Sequence, residues 1–346
     1  PIKHGPTDCG FDEFFGIAGS LDMVPYAFYE GHDPVGPLSE EVPRTPFPKF
    51  QRAGPKAPTF SGGKVLDDLT ERAVRYIEER SATEDPFFLY FPMTSPHKPV
   101  WPAERFVGTT GLGDYGDFIA QTDWSVGQVL EALERRGVAE DTLVVFSSDN
   151  GSFMRRRNKE EDHIDDPTIP AYNEKNHRPN GPYRGTKADI WEAGHHVPLL
   201  VRWPKSVPAG RVAEPTVCLT DVFATIAEVL GAELPTDAGE DSYSFLPLLI
   251  SEASDHARPP VIHHSINGTF AIRDGRWKLV LGNGSGGREK PKGEPFGKPY
   301  QLYDMEADPT ESNDLAAENS DVVQQLAETV KRFRQEPRSV PATPAS

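Results

Sequence analysis

Residues 143–151 read LVVFSSDNG, an apolar run that stops in a carboxylate, an amide and a glycine. A short continuous apolar segment suits a buried strand of an α/β sheet, which places Asp149 and Asn150 at its carboxyl end. Upstream, roughly Phe118 to Arg136 carries Ile119, Val126, Val129, Leu130 and Leu133 on one side, with Gly137 as a C-terminal stop, and reads as a helix. Before it, DPFFLYFPM holds a run from Phe87 to Phe91 closed by Pro92, which predicts a further strand. Strand, helix, strand is a βαβ unit, and its right-handed crossover makes the two strands parallel. Open α/β sheets bind ligands at the carboxyl edge of such strands. His97, on the proline-stiffened loop TSPHKPVWP, is therefore expected in one crevice with Asp149 and Asn150.

Outward from this unit, KVLDDLTERAVRYIEER has apolar residues at helical spacing, while residues 24–63 are rich in Pro and Gly and read as irregular. TKADIWEAGHHVPLLVRWP predicts a short helix and then a strand from Pro198 to Trp203, and TDVFATIAEVLG a helix ended by Gly231. Past residue 250, PVIHHSINGTFAIRDGRWKLVLGN predicts strands around an Asp274-Gly275 turn, and DVVQQLAETVKRFRQ a closing helix. The expected organisation is a mixed, largely parallel α/β domain over 1–250, followed by a smaller α+β subdomain over 251–346 with an antiparallel sheet.

The formal net charge of -17 argues against nucleic acid as the main partner, because phosphate binding needs a basic face. No apolar segment is long enough to span a bilayer, so no membrane partner is expected. Two cysteines, Cys9 and Cys218, leave the redox compartment undecided.

A carboxylate and an amide carbonyl side by side are hard oxygen donors. They suit calcium or magnesium better than zinc, although calcium takes about 6–8 oxygens and two ligands are not a site. An ordinary Asp-Asn-Gly turn is the plainer reading of the same residues. His97, between Pro96 and Pro99, is pre-positioned for proton transfer. Lys187 stands amid glycine, tryptophan and small residues that permit close approach of a ligand.

Several stretches in order resemble the type I sulfatases of the alkaline phosphatase superfamily. They are GFDEFFG at 10–16, FPMTSPHKP at 91–99, VVFSSDNG at 144–151, RGTKADIWEAGHHVPLLVRWP at 184–204, and AIRDGRWKLV with QLYDMEADPTESNDL near the C-terminus. The resemblance implies an alkaline phosphatase-like fold and hydrolysis of a sulfate ester on a small molecule or glycan. It implies calcium, or alternatively magnesium, on Asp149 and Asn150. His97 would then protonate the leaving group, and Lys187 would grip the sulfate. Arg155, Trp101, Trp191, His195, His263 and His264 are further residues expected to contact a sugar.

The family's nucleophile is a formylglycine made within a Cys/Ser-x-Pro-x-Arg motif. Cys9 is followed by Gly-Phe-Asp-Glu and Cys218 by Leu-Thr-Asp-Val, and no serine here fits the motif. The nucleophile is thus expected upstream of these residues, and this polypeptide alone is expected to be inactive and to bind calcium weakly. A phosphatase or phosphonate monoester hydrolase on the same scaffold, and a non-catalytic sulfatase-like binding protein, are the alternatives. Periplasmic or secreted location is expected by family habit.

Overall fold

The structure is a computed structural model that describes residues 1–46, 49–154, 170–251 and 258–340. The chain divides into two compact units, Pro1–Thr142 with Arg156–Arg178, and Leu143–Arg155 with Pro179–Ser346.

The first unit begins with the antiparallel strands β1 (Phe15–Ile17), β2 (Phe28–Glu30) and β3 (Asp33–Pro34), and a second antiparallel pair, β4 (Glu40–Val42) and β5 (Gly54–Lys56). The Pro/Gly-rich region is therefore more ordered than its composition implies. Strands of two or three residues are too short to show a period in sequence. Helix α1 (Val65–Arg80) buries Val65, Leu66, Leu69, Ala73 and Ile77, the stripe expected from the spacing, and Asp67 and Asp68 in its first turn complement the helix dipole. Helix α2 (Asp114–Arg135) starts four residues earlier than the apolar pattern. Buried Asp117 accepts hydrogen bonds from the Gly108 and Thr110 amides and thereby fixes the entry loop. At the far end Gly137 adopts a φ of 68°, which a stop there requires. The two helices pack together, with the Thr70 and Ser125 hydroxyls hydrogen-bonded between them.

The run Phe87–Phe91 forms no regular element and belongs to no ladder among the described residues. Its side chains alternate in exposure, with Phe88 at 58% and Tyr90 at 66% facing out. Pro86 and Pro92 bracket it, each lacking the N–H that would extend pairing at its ends.

In the second unit β6 (Val144–Ser147) pairs with β7 (Leu199–Arg202), and the pairing is antiparallel. The parallel relation expected of a βαβ unit is not found: all ladders between named strands of the described residues are antiparallel. The physical reason is that β6 takes its partner 52 to 58 residues downstream, at Leu199–Arg202, rather than from the Phe87–Phe91 run. Helices α3 (Asp221–Val229) and α4 (Leu246–Ile250) follow. Buried Asp221 receives two bonds from Arg258, 2.6 Å from Nε and 2.7 Å from Nη2.

The C-terminal antiparallel sheet is present as expected, in the order β11-β10-β9-β8, from β8 (Val261–His264), β9 (Phe270–Asp274), β10 (Trp277–Val280) and β11 (Gln301–Asp304). Its two faces alternate by residue. Ile272, Leu279 and Leu302 pack with Leu326 and Val330 of α5 (Ser320–Phe333), whereas Ala271, Val280 and Tyr303 pack with Ile190 and Trp191. The second face is thus covered by the segment that carries Lys187. The chain is mixed α/β, and no described helix is long and apolar enough to cross a membrane.

Candidate active site

The antiparallel register sets Ser147 opposite Leu199, so the residues after β6 run beside those before β7. This brings the Asp149–Asn150 turn to the Lys187 loop. Gly151 N–H donates to the Gly194 carbonyl at 3.1 Å, and the Ser152 carbonyl accepts from the Thr186 hydroxyl at 2.7 Å and the Lys187 amide at 3.3 Å. Asn180 closes the arrangement by accepting from the Ser152 amide at 2.8 Å and donating to its carbonyl at 2.7 Å. A Cβ on Gly151 would lie 1.7 Å from the Ala193 oxygen, so the approach of the two loops demands glycine.

Asp149 is exposed and Asn150 and Lys187 half-buried. Among the described residues their side chains take no hydrogen-bond or ion-pair partner. An uncommitted carboxylate, amide oxygen and ammonium on adjoining loops fit a hard cation and an anion in kind. In number they do not complete a cage: no group of three or more His, Cys, Asp or Glu converges among the described residues.

The Lys187 loop is held in an uncommon shape. Ala188 adopts a φ of 82°, a region that non-glycine residues rarely occupy and that is retained only where surroundings over-determine it. Asp189, fully buried, supplies much of that constraint by accepting from the amides of Thr186 (2.9 Å), Arg288 (2.6 Å) and Glu289 (3.2 Å). Burial pushes its carboxyl up to about 6, against the lowering effect of those amides. Arg184 lies 3.6 Å from the centre of the Trp191 ring and donates to the Tyr303 hydroxyl and the Glu311 carbonyl.

Beneath the loop is a buried charge cluster that the sequence did not reveal. Lys278, on the central strand β10 and fully buried, has its ammonium 3.1 Å from Glu192 and 2.8 Å from Glu311. Burial alone would lower Lys278, but the two carboxylates raise it above its ordinary value. Burial likewise raises Glu192, yet Lys278 and the His196 hydrogen bond outweigh this and hold its carboxyl well below the usual range. At Glu311 burial prevails and the carboxyl is raised. Alternation in RWKLV sets Lys278 beside Arg276 and opposite Trp277 and Leu279, so the spacing alone suggests an outward lysine and gives no sign of its burial.

His97 belongs to the first unit. Its Nδ1 is 2.6 Å from the Lys98 carbonyl, an acceptor only, so in the neutral ring Nδ1 carries the proton and Nε2 is the basic nitrogen. The Ser20 hydroxyl is 3.4 Å from the same Nδ1. Trp101, in the same unit, lies against Gly62 and Gly63, where any Cβ would meet its ring within about 3 Å.

The remaining sugar-contact expectations divide. Trp191 is 1% exposed, inside the core rather than open to a ligand. The rings of His195 and His263 lie against one another with centres 4.3 Å apart and planes tilted by 57°, and each has an Nε2 sealed without a hydrogen bond among the described residues. Burial, aided by Lys278, brings His195 down to about 4, and burial holds His263 well below its usual value, so both are neutral. His264 is exposed, its Nδ1 donating to the Ser265 carbonyl at 2.9 Å. Arg155 lies outside the described residues. Cys9 and Cys218 are both free thiols.

Comparison with known proteins decides the family. The sulfatase profile matches residues 3–232. The chain belongs to the sulfatase family. A second profile, N-sulphoglucosamine sulphohydrolase C-terminal, matches residues 186–336. The sulfatase chain is 32% identical over 369 aligned positions to the N-acetylgalactosamine-6-O-sulfatase of Bacteroides thetaiotaomicron, covering 96% of this chain and 70% of that one. It is 29% identical over 290 positions to N-acetylgalactosamine-6-sulfatase of Mus musculus, covering 81% of this chain but 49% of the relative. A solved structure described under metabolism of multiple glycosaminoglycans by Bacteroides thetaiotaomicron superposes with a TM-score of 0.82 at 28% identity, covering 96% of this chain and 75% of that one.

Proposed function

We propose that the chain carries the anion-gripping and metal-binding part of a carbohydrate sulfatase whose substrate is a sulfated amino sugar of the N-acetylgalactosamine 6-sulfate type. The observation that carries the reading is the lacing of the Asp149–Asn150 turn to the Lys187 loop through Gly151 and Ser152. The names of the two relatives support the substrate class. Lys187 offsets negative charge on the sulfuryl oxygens as the ester bond breaks. His97, protonated at Nε2, passes that proton to the departing alkoxide, its Nδ1–H held by the Lys98 carbonyl. Calcium, or magnesium, held by Asp149 and Asn150 supplies further positive charge when bound.

No Cys/Ser-x-Pro-x-Arg motif occurs in the 346 residues, so the formylglycine nucleophile is not among them. The expected behaviour of these residues alone is binding without turnover. An exported location, periplasmic or secreted, goes with a glycan met outside the cell, and fractionation of the native source checks it.

Release of sulfate from N-acetylgalactosamine 6-sulfate, and of phosphate from the 6-phosphate, is measured in parallel with ligand-observed NMR of binding. The sulfate ester is expected to bind in preference, with neither ester turned over. Preference for the phosphate ester would replace the reading by a phosphatase, and turnover would show that a nucleophile lies within these residues.

A further inference from the structure

We propose that Glu311, in the QLYDMEADPTESNDL stretch, is a positioning residue for Lys187, gripping both ends of the loop that carries the lysine. The role rests on the sulfatase reading given above for Lys187.

Glu311 is fully buried and adopts a φ of 53°, a left-handed conformation that costs a residue with a Cβ. Asp308 builds the turn that imposes it. Its carboxylate accepts from the Thr310 and Ser312 hydroxyls and from the Ser312 and Asn313 amides, and its carbonyl accepts the Glu311 amide at 3.1 Å. A buried acid in such a conformation is retained only where its contacts repay the cost.

Those contacts converge on one loop. The Glu311 carbonyl accepts from Arg184 Nη1 at 2.9 Å, three residues before Lys187. The Glu311 Oε2 accepts from the Glu192 amide at 2.6 Å, five residues after it. The remaining oxygen faces Lys278, which also pairs with Glu192. One residue thus fixes the separation of the loop's ends, while Ala188 within the loop is strained and the Lys187 ammonium takes no partner among the described residues. A lysine that must meet a tetrahedral anion at one place gains from ends that cannot drift, because orientation fixed before binding is not lost on binding. Reach is the quantity that matters: the carboxylate must extend to the Glu192 amide.

Two substitutions separate reach from charge. Glu311→Asp keeps the charge and suits the left-handed backbone, but its carboxylate is one methylene short of the Glu192 amide. Glu311→Gln keeps the length and an oxygen for that amide while losing the charge. Hydrogen exchange of residues 184–194 in the full chain is measured by mass spectrometry, with the melting temperature recorded alongside. Affinity for inorganic sulfate in the presence of calcium is measured by calorimetry.

Glu311→Asp is expected to speed loop exchange and weaken sulfate binding, each by roughly tenfold or more, the effect of losing a hydrogen bond to a charged group. Glu311→Gln is expected to restore both to within about threefold, even though leaving Lys278 with Glu192 as its one carboxylate partner lowers its melting temperature. Loop exchange and affinity that are unchanged in Glu311→Asp would overturn the proposal, as would equal impairment by both variants, which would make charge rather than reach decisive. Absence of sulfate binding by the unsubstituted chain would instead overturn the sulfatase reading of Lys187, and the positioning role with it, while the exchange data would still report separately whether the clamp exists.

Discussion

The loops bearing His97 and Lys187 both lie within the residues matched by the sulfatase profile but are held by different physics. Around His97 the chain is stiffened locally: four prolines fall between residues 92 and 102, and the imidazole is oriented by the carbonyl of its own neighbour, Lys98. The apolar run before it leaves Phe88 and Tyr90 largely exposed. The Lys187 loop is held from a distance, by Ser152 on one side and by Asp189, Lys278 and Glu311 against the C-terminal sheet on the other. Local stiffening is written in a few adjacent residues. Remote support is spread over more than a hundred, and damage to it propagates further.

That contrast predicts unequal sensitivity. The largest effect is expected from Lys278→Met, which strands two carboxylates in the core and should cost about 3–5 kcal/mol in chemical denaturation, as removal of one member of a buried ion pair does. A loss below about 1 kcal/mol would mean that the cluster contributes little to folding. Gly151→Ala comes next: the new Cβ has no room beside the Ala193 oxygen, and the expected cost is about 3 kcal/mol with loosening of the Lys187 loop in hydrogen exchange.

Acidification should also act on the second unit. His195 and His263 have folded-state values depressed below those of the unfolded chain, so the unfolded state takes up more protons as pH falls from about 6.5 towards 4, and stability falls with it. Asp189 opposes this, since its raised value makes the folded state bind the extra proton between about 6 and 4. Glu311, whose carboxyl is also raised, opposes the loss in the same sense, but the two histidines begin to charge in the unfolded chain first, near pH 6.5, so mild acidification gives a net loss, and Glu192 adds to it as pH falls through the ordinary carboxylate range. Denaturation midpoints at pH 7 and pH 5 check the sign; a rise at pH 5 would contradict it.

Smaller still, Ala188→Gly relieves a positive φ and is expected to be neutral or stabilising by about 1 kcal/mol. In the first unit, Phe88→Ser at a largely exposed position should change stability by no more than about 0.5 kcal/mol. A larger loss there would show that the Phe87–Phe91 run is held more firmly than its exposure implies.

The parts legible in the sequence are those set by near neighbours. Helical spacing located α1, α2, α3 and α5, and the Asp274-Gly275 turn located the β9–β10 hairpin; residue type and order are what led to the proposal of Asp149, Asn150, His97 and Lys187 as site residues. Pairing between distant segments was not legible. The apolar run at 143–151 fixed β6 as a strand but could not say that its partner lies at Leu199–Arg202, so a parallel neighbour was expected where an antiparallel one forms. The charge cluster was hidden for the same reason. Nothing near Lys278 in sequence shows that two carboxylates await it, one 86 residues before and one 33 after.

The central claim is that the Asp149–Asn150 turn and Lys187 together form one binding place for a metal ion and a sulfate ester. Calorimetric titration of the chain with N-acetylgalactosamine 6-sulfate, with and without calcium, tests it most directly when repeated on Lys187→Ala and Asp149→Ala. Calcium-dependent binding that is lost in both variants is the predicted result. Binding of equal strength in all three proteins, or indifferent to calcium, would contradict it.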